Sequence, residues 1–355
     1  MDFLKLYDAD SRGVVPEASL VTVLSDCTQA TVRRVINGEI SLTASFPPGA
    51  RSSEALTIGR AIRAAVNEAG KLQDFIIKRR TRTFGGMTVY AEHQSYYYNG
   101  CILRGGGSGE SVTPSFSFSQ IRQSAHPDIR DIGQFTFSRA SNTARIAPAI
   151  TSPTALRNVL LHWLIETYGG ELIFDGFDVE WVDAMGADRG AVYQYGKNIT
   201  DMTAEDIPDG YASGIFPFWG SVSPQSNVGI VTIQEWTLNY PGTYPVEVIV
   251  PVDLTKRFET QPTQEQLLTA AREYLSQNSK NGMPISIKAS RARIQGDVPV
   301  DLGDTVTVVN SPWGINTKTR IMAMTFDALR RRVIDVEFGT VNPGLAGSII
   351  NLVKE

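Results

Sequence analysis

The chain has 355 residues, too many for one ordinary hydrophobic core, so two to four packing units are expected. With 42% hydrophobic and 20% charged residues it has a globular composition, which excludes long disordered stretches. A formal net charge of −4 argues against a main task of gripping nucleic acid by its phosphates. Residues 1–6 lack the basic-then-apolar order of a secretory leader, and no window approaches the ~20 apolar residues of a membrane span, so synthesis in the cytoplasm without a membrane span is expected.

Along the chain, short strand-like runs alternate with glycine and proline turns. The apolar spacing from Asp2 to Tyr7 predicts a strand, residues 8–13 a turn, and Leu20 to Leu24 another strand. Thr31 to Ile36 and Glu39 to Phe46 flank Asn37-Gly38, a pair suited to the positive φ of a tight hairpin; Ile40, Leu42, Ala44 and Phe46 then share one face. Residues 53–69 are ambiguous. Composition and the spacing of Ile58, Ile62 and Val66 favour helix, whereas Gly59 and the surrounding strands oppose it. Phe75-Ile76-Ile77 and Met87 to Tyr90 predict a second hairpin around Gly85-Gly86, and Arg104 to Gly109 a flexible loop that ends the first unit.

Ser152 as cap and Pro153 as first helical residue introduce the clearest helix, with Leu156, Val159, Leu160, Trp163, Leu164 and Tyr168 on one stripe and Gly169-Gly170 as its stop. A second helix starts at Thr263, with Gln266 completing a capping box, and buries Leu267, Leu268, Ala271, Tyr274 and Leu275. Strands at Glu171 to Phe174 and Pro284 to Ala289 bracket these helices. The expected fold class is therefore mainly β (α+β), with two β-barrel-like units and two smaller α+β units, and no short-period repeat.

Residue types that carry chemistry do not gather into a catalytic pattern. His93, His126 and His162 share no metal-ligand spacing. The glycine loop has Arg104 in the first-glycine slot of a phosphate cradle and Glu110 in the lysine slot, and Gly106-Gly107-Ser108-Gly109 fails as a nucleophile elbow. Asp175, Asp178, Glu180 and Asp183, and then Asp201, Glu205, Asp206 and Asp209, are acidic groups of the kind found at solvated strand edges and turns, without the spacing of a calcium loop. Lys78-Arg79-Arg80-Thr81-Arg82 and Arg330-Arg331-Arg332 lack interleaved aromatics for base stacking; they read as strand-surface charges or subunit contacts. Cys27 and Cys101 are expected as free thiols. Catalytic, cofactor and metal residues are all expected to be none.

Several strings together resemble phage tail hub proteins, the prophage endopeptidase tail family or the N-terminal region of tail-associated lysins. They are Gln73-Asp74-Phe75-Ile76-Ile77 with Val89 to Tyr96, Gly169-Gly170-Glu171-Leu172, Asp188-Arg189-Gly190, Tyr195 to Ile199, Leu302-Gly303-Asp304-Thr305-Val306, and Thr325 to Leu329 with Glu337-Phe338-Gly339. Phe326 and Phe338 depart from the family pattern. The resemblance runs in order from Asp2 to Gly339.

It implies a tail-hub-like, ring-forming fold: a first β-barrel over 1–100, an α+β domain over 101–190, a second barrel over 191–240 and 297–340, an inserted α+β domain over 241–296, and a tail over 341–355. It also implies that Ile58 to Val66 is extended, against helix propensity. The implied function is a homotrimeric hub at the virion tail tip or baseplate, assembled in the host cytoplasm, that caps the tail tube. Its implied partners are tail tube and distal tail proteins, the tape measure protein, and tip, spike or fibre proteins. DNA would pass transiently through a neutral or acidic lumen, with no stable nucleic-acid binding. A hub of a tailocin or contractile injection system fits the same residues. A peptidase-bearing tail lysin fits less well, because the pattern ends near Gly339 and about fifteen residues follow, against the ~50 a catalytic domain needs.

Overall fold

Seven strands form in the N-terminal part, six where the alternation predicts them and β5 where the resemblance implies an extended stretch: β1 (Leu4–Tyr7), β2 (Leu20–Leu24), β3 (Gln29–Val35), β4 (Ile40–Phe46), β5 (Ala61–Ala65), β6 (Leu72–Thr83) and β7 (Gly86–His93). The computed structural model describes residues 3–105, 111–143, 150, 152–206, 212–220, 230–240, 247–258, 260–277, 285–291, 298–313 and 315–339. Asn37 takes φ 50° at the β3–β4 turn, the left-handed geometry that its type tolerates. The ambiguous stretch is extended, but only over Ala61–Ala65: a turn at Gly59 precedes it and Ile58 lies exposed. Pairing with β1 on one side and β6 on the other overrides the local helix preference.

A middle module follows. It contains β8 (Ile102–Leu103), a helix at Pro114–Gln123, β9 (Ala125–His126), β10 (Phe135–Phe137), β11 (Thr154–Ala155), a helix over 156–168, β12 (Glu171–Asp175) and β13 (Asp178–Val182). The expectation that Ser152 caps the long helix is corrected. β11 pairs with β8 and holds the chain extended through Ala155, so the helix opens at Leu156, whose N–H donates to Cys101 O. The turn over 159–164 is wound as a π-helix, and Gly169 and Gly170, both at positive φ, stop the helix as expected. The Pro114–Gln123 helix was not anticipated, although Thr113 before Pro114 is a start signal. Trp181, Phe118, Val179, Leu160 and Leu164 make the core of this module.

Beyond it come β14 (Asp188–Gln194) and β15 (Ile199–Asp206), then β16 (Gly214–Trp219), β17 (Val231–Thr232), β18 (Leu238–Asn239), β19 (Ile249–Asp253) and the Gln264–Gln277 helix. The last strands are β20 (Ile285–Arg291), β21 (Thr305–Asn310), β22 (Ile315–Asp327) and β23 (Arg332–Gly339). The chain divides into two compact units, Met1–Thr203 with Ile287–Phe338, and Ala204–Ser286 with Gly339–Glu355. In the smaller unit β16 pairs parallel with β19 and antiparallel with β17 and β18. The Gln264–Gln277 helix packs Leu267, Ala271 and Leu275 into a core with Ile215 and Val252. Its capping box forms as the sequence predicts: Gln266 N–H donates to Thr263 Oγ1 (3.2 Å) and Thr263 N–H to Gln266 Oε1 (2.8 Å).

In the larger unit the strands join in one 13-stranded sheet of order β15-β20-β23-β22-β3-β4-β7-β6-β5-β1-β2, from which β21 and β14 branch beside β22. Among the described residues strand is the commonest element and most strand pairs are antiparallel, as the expected mainly β class requires. Among the described residues the strands form an open, continuous sheet rather than closed barrels, because β3 pairs with β22 and fuses the two strand sets.

That sheet contains the same strand order twice. The run β3-β4-β7-β6-β5-β1 corresponds, strand for strand and in chain order, to β15-β20-β23-β22-β21-β14. β14 departs by pairing parallel with β21, where β1 is antiparallel to β5. β16 to β19 and their helix are an insertion between β15 and β20, at the place of the Asn37-Gly38 turn.

Two glycines bring the middle module against the second strand set. Gly303 has φ +86°, and a Cβ there would lie 2.7 Å from Met185 O; Gly186, at φ +82°, abuts Gly303 in turn. We therefore expect Gly303→Ala to destabilise the fold by about 3 kcal/mol through strain and backbone displacement, as measured by urea unfolding.

Candidate functional site

Several of the strings that carry the resemblance meet at two buried polar joints of the larger unit. In the first, the β6 residue Gln73 and the β7 residue His93 lie side by side, as the alternation of both strands requires. Gln73 Oε1 accepts the N–H of Gly176 (2.9 Å) while its amide nitrogen donates to Asp175 (2.6 Å). The oxygen therefore also accepts from His93 Nε2 (2.9 Å), which leaves Nδ1 as acceptor for Ser95. Burial, then the nearby Arg157 charge, press the His93 pKa down to about 3, so the ring is neutral. Burial alone would raise the Asp175 carboxyl, but hydrogen bonds from Lys71 and Gln73 hold it below the usual range.

Arg157 completes this joint from the 156–168 helix. Its guanidinium donates to Ser95 Oγ (3.2 Å) and Gly38 O (3.0 Å) and lies 3.9 Å over the Tyr96 ring and 5.0 Å from that of Phe174. Burial lowers its pKa. Asn37 adds a second clamp: its side chain donates to Gly170 O and accepts from Leu172 N–H. Sequence reasoning used Asn37 only for its turn geometry and passed over Arg157. The available signal was a charged residue beside Leu156, at the start of a helix with an apolar stripe.

The second joint collects the later strings. Glu171 receives a bidentate Arg320 (2.8 and 2.9 Å) and the N–H of Met185 (2.7 Å). Asp304, 1% exposed, accepts from Ala187 N–H, Asp301 N–H and Arg189 Nε at 2.8, 2.8 and 3.0 Å. Asp301 pairs with Arg34 of β3 and accepts from Asn67 (3.0 Å). Burial would raise its carboxyl, but the Arg34 charge and these hydrogen bonds bring it down. A cleft of about 260 Å³ touches both joints, and Arg34, Lys71, Arg189, Asp301 and Asp304 in its lining are all paired within the protein.

The other residues singled out in the sequence are dispersed. His126 lies at the end of β9, and His162 faces Glu166 on the long helix at 3.7 Å. Asp178 accepts from Gln134 N–H, and Asp183 binds Arg139 and Ala140 N–H, so the first acidic group ties down the rim of the middle module. Asp201 to Asp206 belong to β15; Asp209, like Gly106 to Glu110, lies outside the described residues. Cys101 is buried and Cys27 half-buried, both free, with burial pushing the Cys27 thiol up to about 12.

The two basic runs differ. Arg330 and Arg332 flank Asp327, which also caps the turn through Leu329 N–H and Arg330 N–H. Lys78, Arg79 and Arg82 project from the outer half of β6, and among the described residues none meets a carboxylate; Arg79 only covers Tyr90.

The fold is similar to that of three solved tail proteins. The chain is similar over 100% of both lengths to a prophage tail protein from Listeria monocytogenes (TM-score 0.64, 12% identity). It is similar over 98% of both to a tail protein from Neisseria meningitidis (0.62, 12%). A 43 kDa prophage tail protein from Shewanella oneidensis matches 97% of this chain and 100% of its own (0.58, 14%). No protein-family model matches the chain, and no curated protein matches it significantly.

Two measurements probe the joints. Asp304→Ala leaves two backbone N–H groups unpaired, while the released Arg189, half exposed, turns to water, so a loss of about 2–4 kcal/mol in urea unfolding is expected, with Asp304→Asn costing less. Because the folded pKa of His93 lies below its unfolded value, the unfolded chain binds the extra proton between about pH 6.5 and 3. Stability should fall with acidification across that window by up to about 1.4 kcal/mol per pH unit. His93→Asn should flatten the slope between pH 6.5 and 4.5.

Proposed function

We propose that this chain is a structural hub subunit of a phage tail tip or baseplate, and that it acts as a homotrimer. The observation that carries the reading is the strand order that occurs twice in one chain. Three copies would present six similar strand sets, so a threefold ring could meet a sixfold tail tube. The full-length likeness in fold to prophage tail proteins supports a tail role. On this reading the hub ends the tube, joins it to distal tail, tape measure and spike or fibre proteins, and lets DNA pass at ejection.

The polar chemistry supports a scaffold rather than a catalyst. Gln73, His93, Glu171, Arg189 and Asp304, which a search for active residues would examine first, are engaged in joining the middle module to the sheet. Open strand ends also suit assembly. β2 ends the sheet with Leu20 and Val23 exposed, and β14 ends its branch with Val192 exposed.

The test has two parts. Light scattering of the purified chain should give three times the mass of one copy, and antibody labelling of particles should mark the tail tip in electron micrographs. A monomer at every concentration, or label on the capsid, would overturn the reading.

A further inference from the structure

The duplicated sheet has one junction made and one missing. β22 is 13 residues long: its first part, Ile315 to Arg320, pairs with β21, and its later part, Ala323 to Asp327, pairs with β3 of the other strand set. β6 is its counterpart, 12 residues long. Leu72 to Ile76 pair with β5, the counterpart of β21, and Ile77 still bonds Gly59 and Arg60. From Lys78 to Thr83 the edge away from β7 has no backbone partner among the described residues. Those six residues leave about 20 Å of strand edge open. The strand that would fill it is the counterpart of β3, which is β15, and β15 is a terminal strand of the sheet.

Charge agrees with topology. The open half of β6 carries Lys78, Arg79, Arg80 and Arg82 and no acid; β15 carries Asp201, Glu205 and Asp206 and no base. Arg80 donates to Leu56 O, while Lys78, Arg79 and Arg82 have no carboxylate partner among the described residues. Such an edge repels its own kind and accepts an acidic one, which would select this junction over β6 against β6.

We propose that the outer half of β6 pairs with β15 of a second copy of this chain, reproducing between copies the β22–β3 junction seen within one. The inference rests on the ring reading above and names its interface. Head-to-tail repetition of one heterologous contact closes when three copies have joined.

The register follows from the duplication. Ala44 faces Val89 and Ala289 faces Val336, each a buried pair, so Ala289 stands for Ala44 and Ser290 for Ser45. Thr200 Oγ1 donates to Ser290 O as Thr28 Oγ1 donates to Ser45 O, so Thr200 stands for Thr28, buried Met202 for buried Ala30, and position 205 for Arg33. Arg33 faces Thr325, whose counterpart two residues before the strand end is Thr81. Thr81 of one copy thus lies opposite position 205 of the next, and Thr83 opposite Thr203.

A chain carrying both Thr83→Cys and Thr203→Cys should, on mild oxidation, give a covalent three-copy band on non-reducing gels that neither single variant gives. Arg79→Glu with Arg82→Glu should weaken association about a hundredfold or more in light-scattering dilution series, and Asp201→Arg with Glu205→Arg in the same chain should restore it. Circular dichroism separates loss of assembly from loss of folding, and the restoring variant reports even if the charge-reversed chain folds poorly. A wild-type trimer with no cross-link, or one indifferent to the charge reversal, overturns this interface and leaves the ring reading standing. A monomeric wild type overturns both.

Discussion

A strand longer than its neighbour must find a second partner or leave peptide groups to water, and this requirement organises the larger unit. β22 outruns β21, and the exposed remainder is taken by β3 from the other strand set. That single shared edge turns two similar sets into one sheet. The side chains along it reinforce the join: Phe326 and Val32 are fully buried and face one another, and Arg33 reaches Glu337 at 3.1 Å.

The middle module is fixed to this sheet by hydrogen bonds between polar groups that are themselves mostly buried. Burial makes each of them costly to leave unpaired, so geometry is enforced more strictly than by apolar contact. Gln73 is the clearest case, since one side chain satisfies His93, Gly176 and Asp175 together. Asp304 does the same for three donors around Gly303, where the close backbone approach leaves no room for a side chain.

The alternation of Ile40, Leu42, Ala44 and Phe46 marked β4 and its buried face, because a half-buried strand writes its period directly into side-chain polarity. The Thr263 capping box was equally legible, being a contact within four residues. Ala61–Ala65 was not legible from propensity. Its extended state depends on β1 and β6, which lie far away in sequence. The start of the long helix was misplaced for the same reason: pairing between Thr154 and Leu103 overrules the local Ser-Pro signal.

The sequence by itself determined the mainly β class, most strand positions and the family likeness, since these follow from local polarity, turn chemistry and the order of short strings. Only the tertiary structure decided that several of the likeness strings meet in joints, that Arg330 and Arg332 close on Asp327 while Lys78 to Arg82 flank an open edge, and that one strand order occurs twice. The physical reason is range. Periodicity and caps act over a few residues, whereas strand pairing and buried charge networks join residues hundreds of positions apart, and no local pattern records which edge meets which.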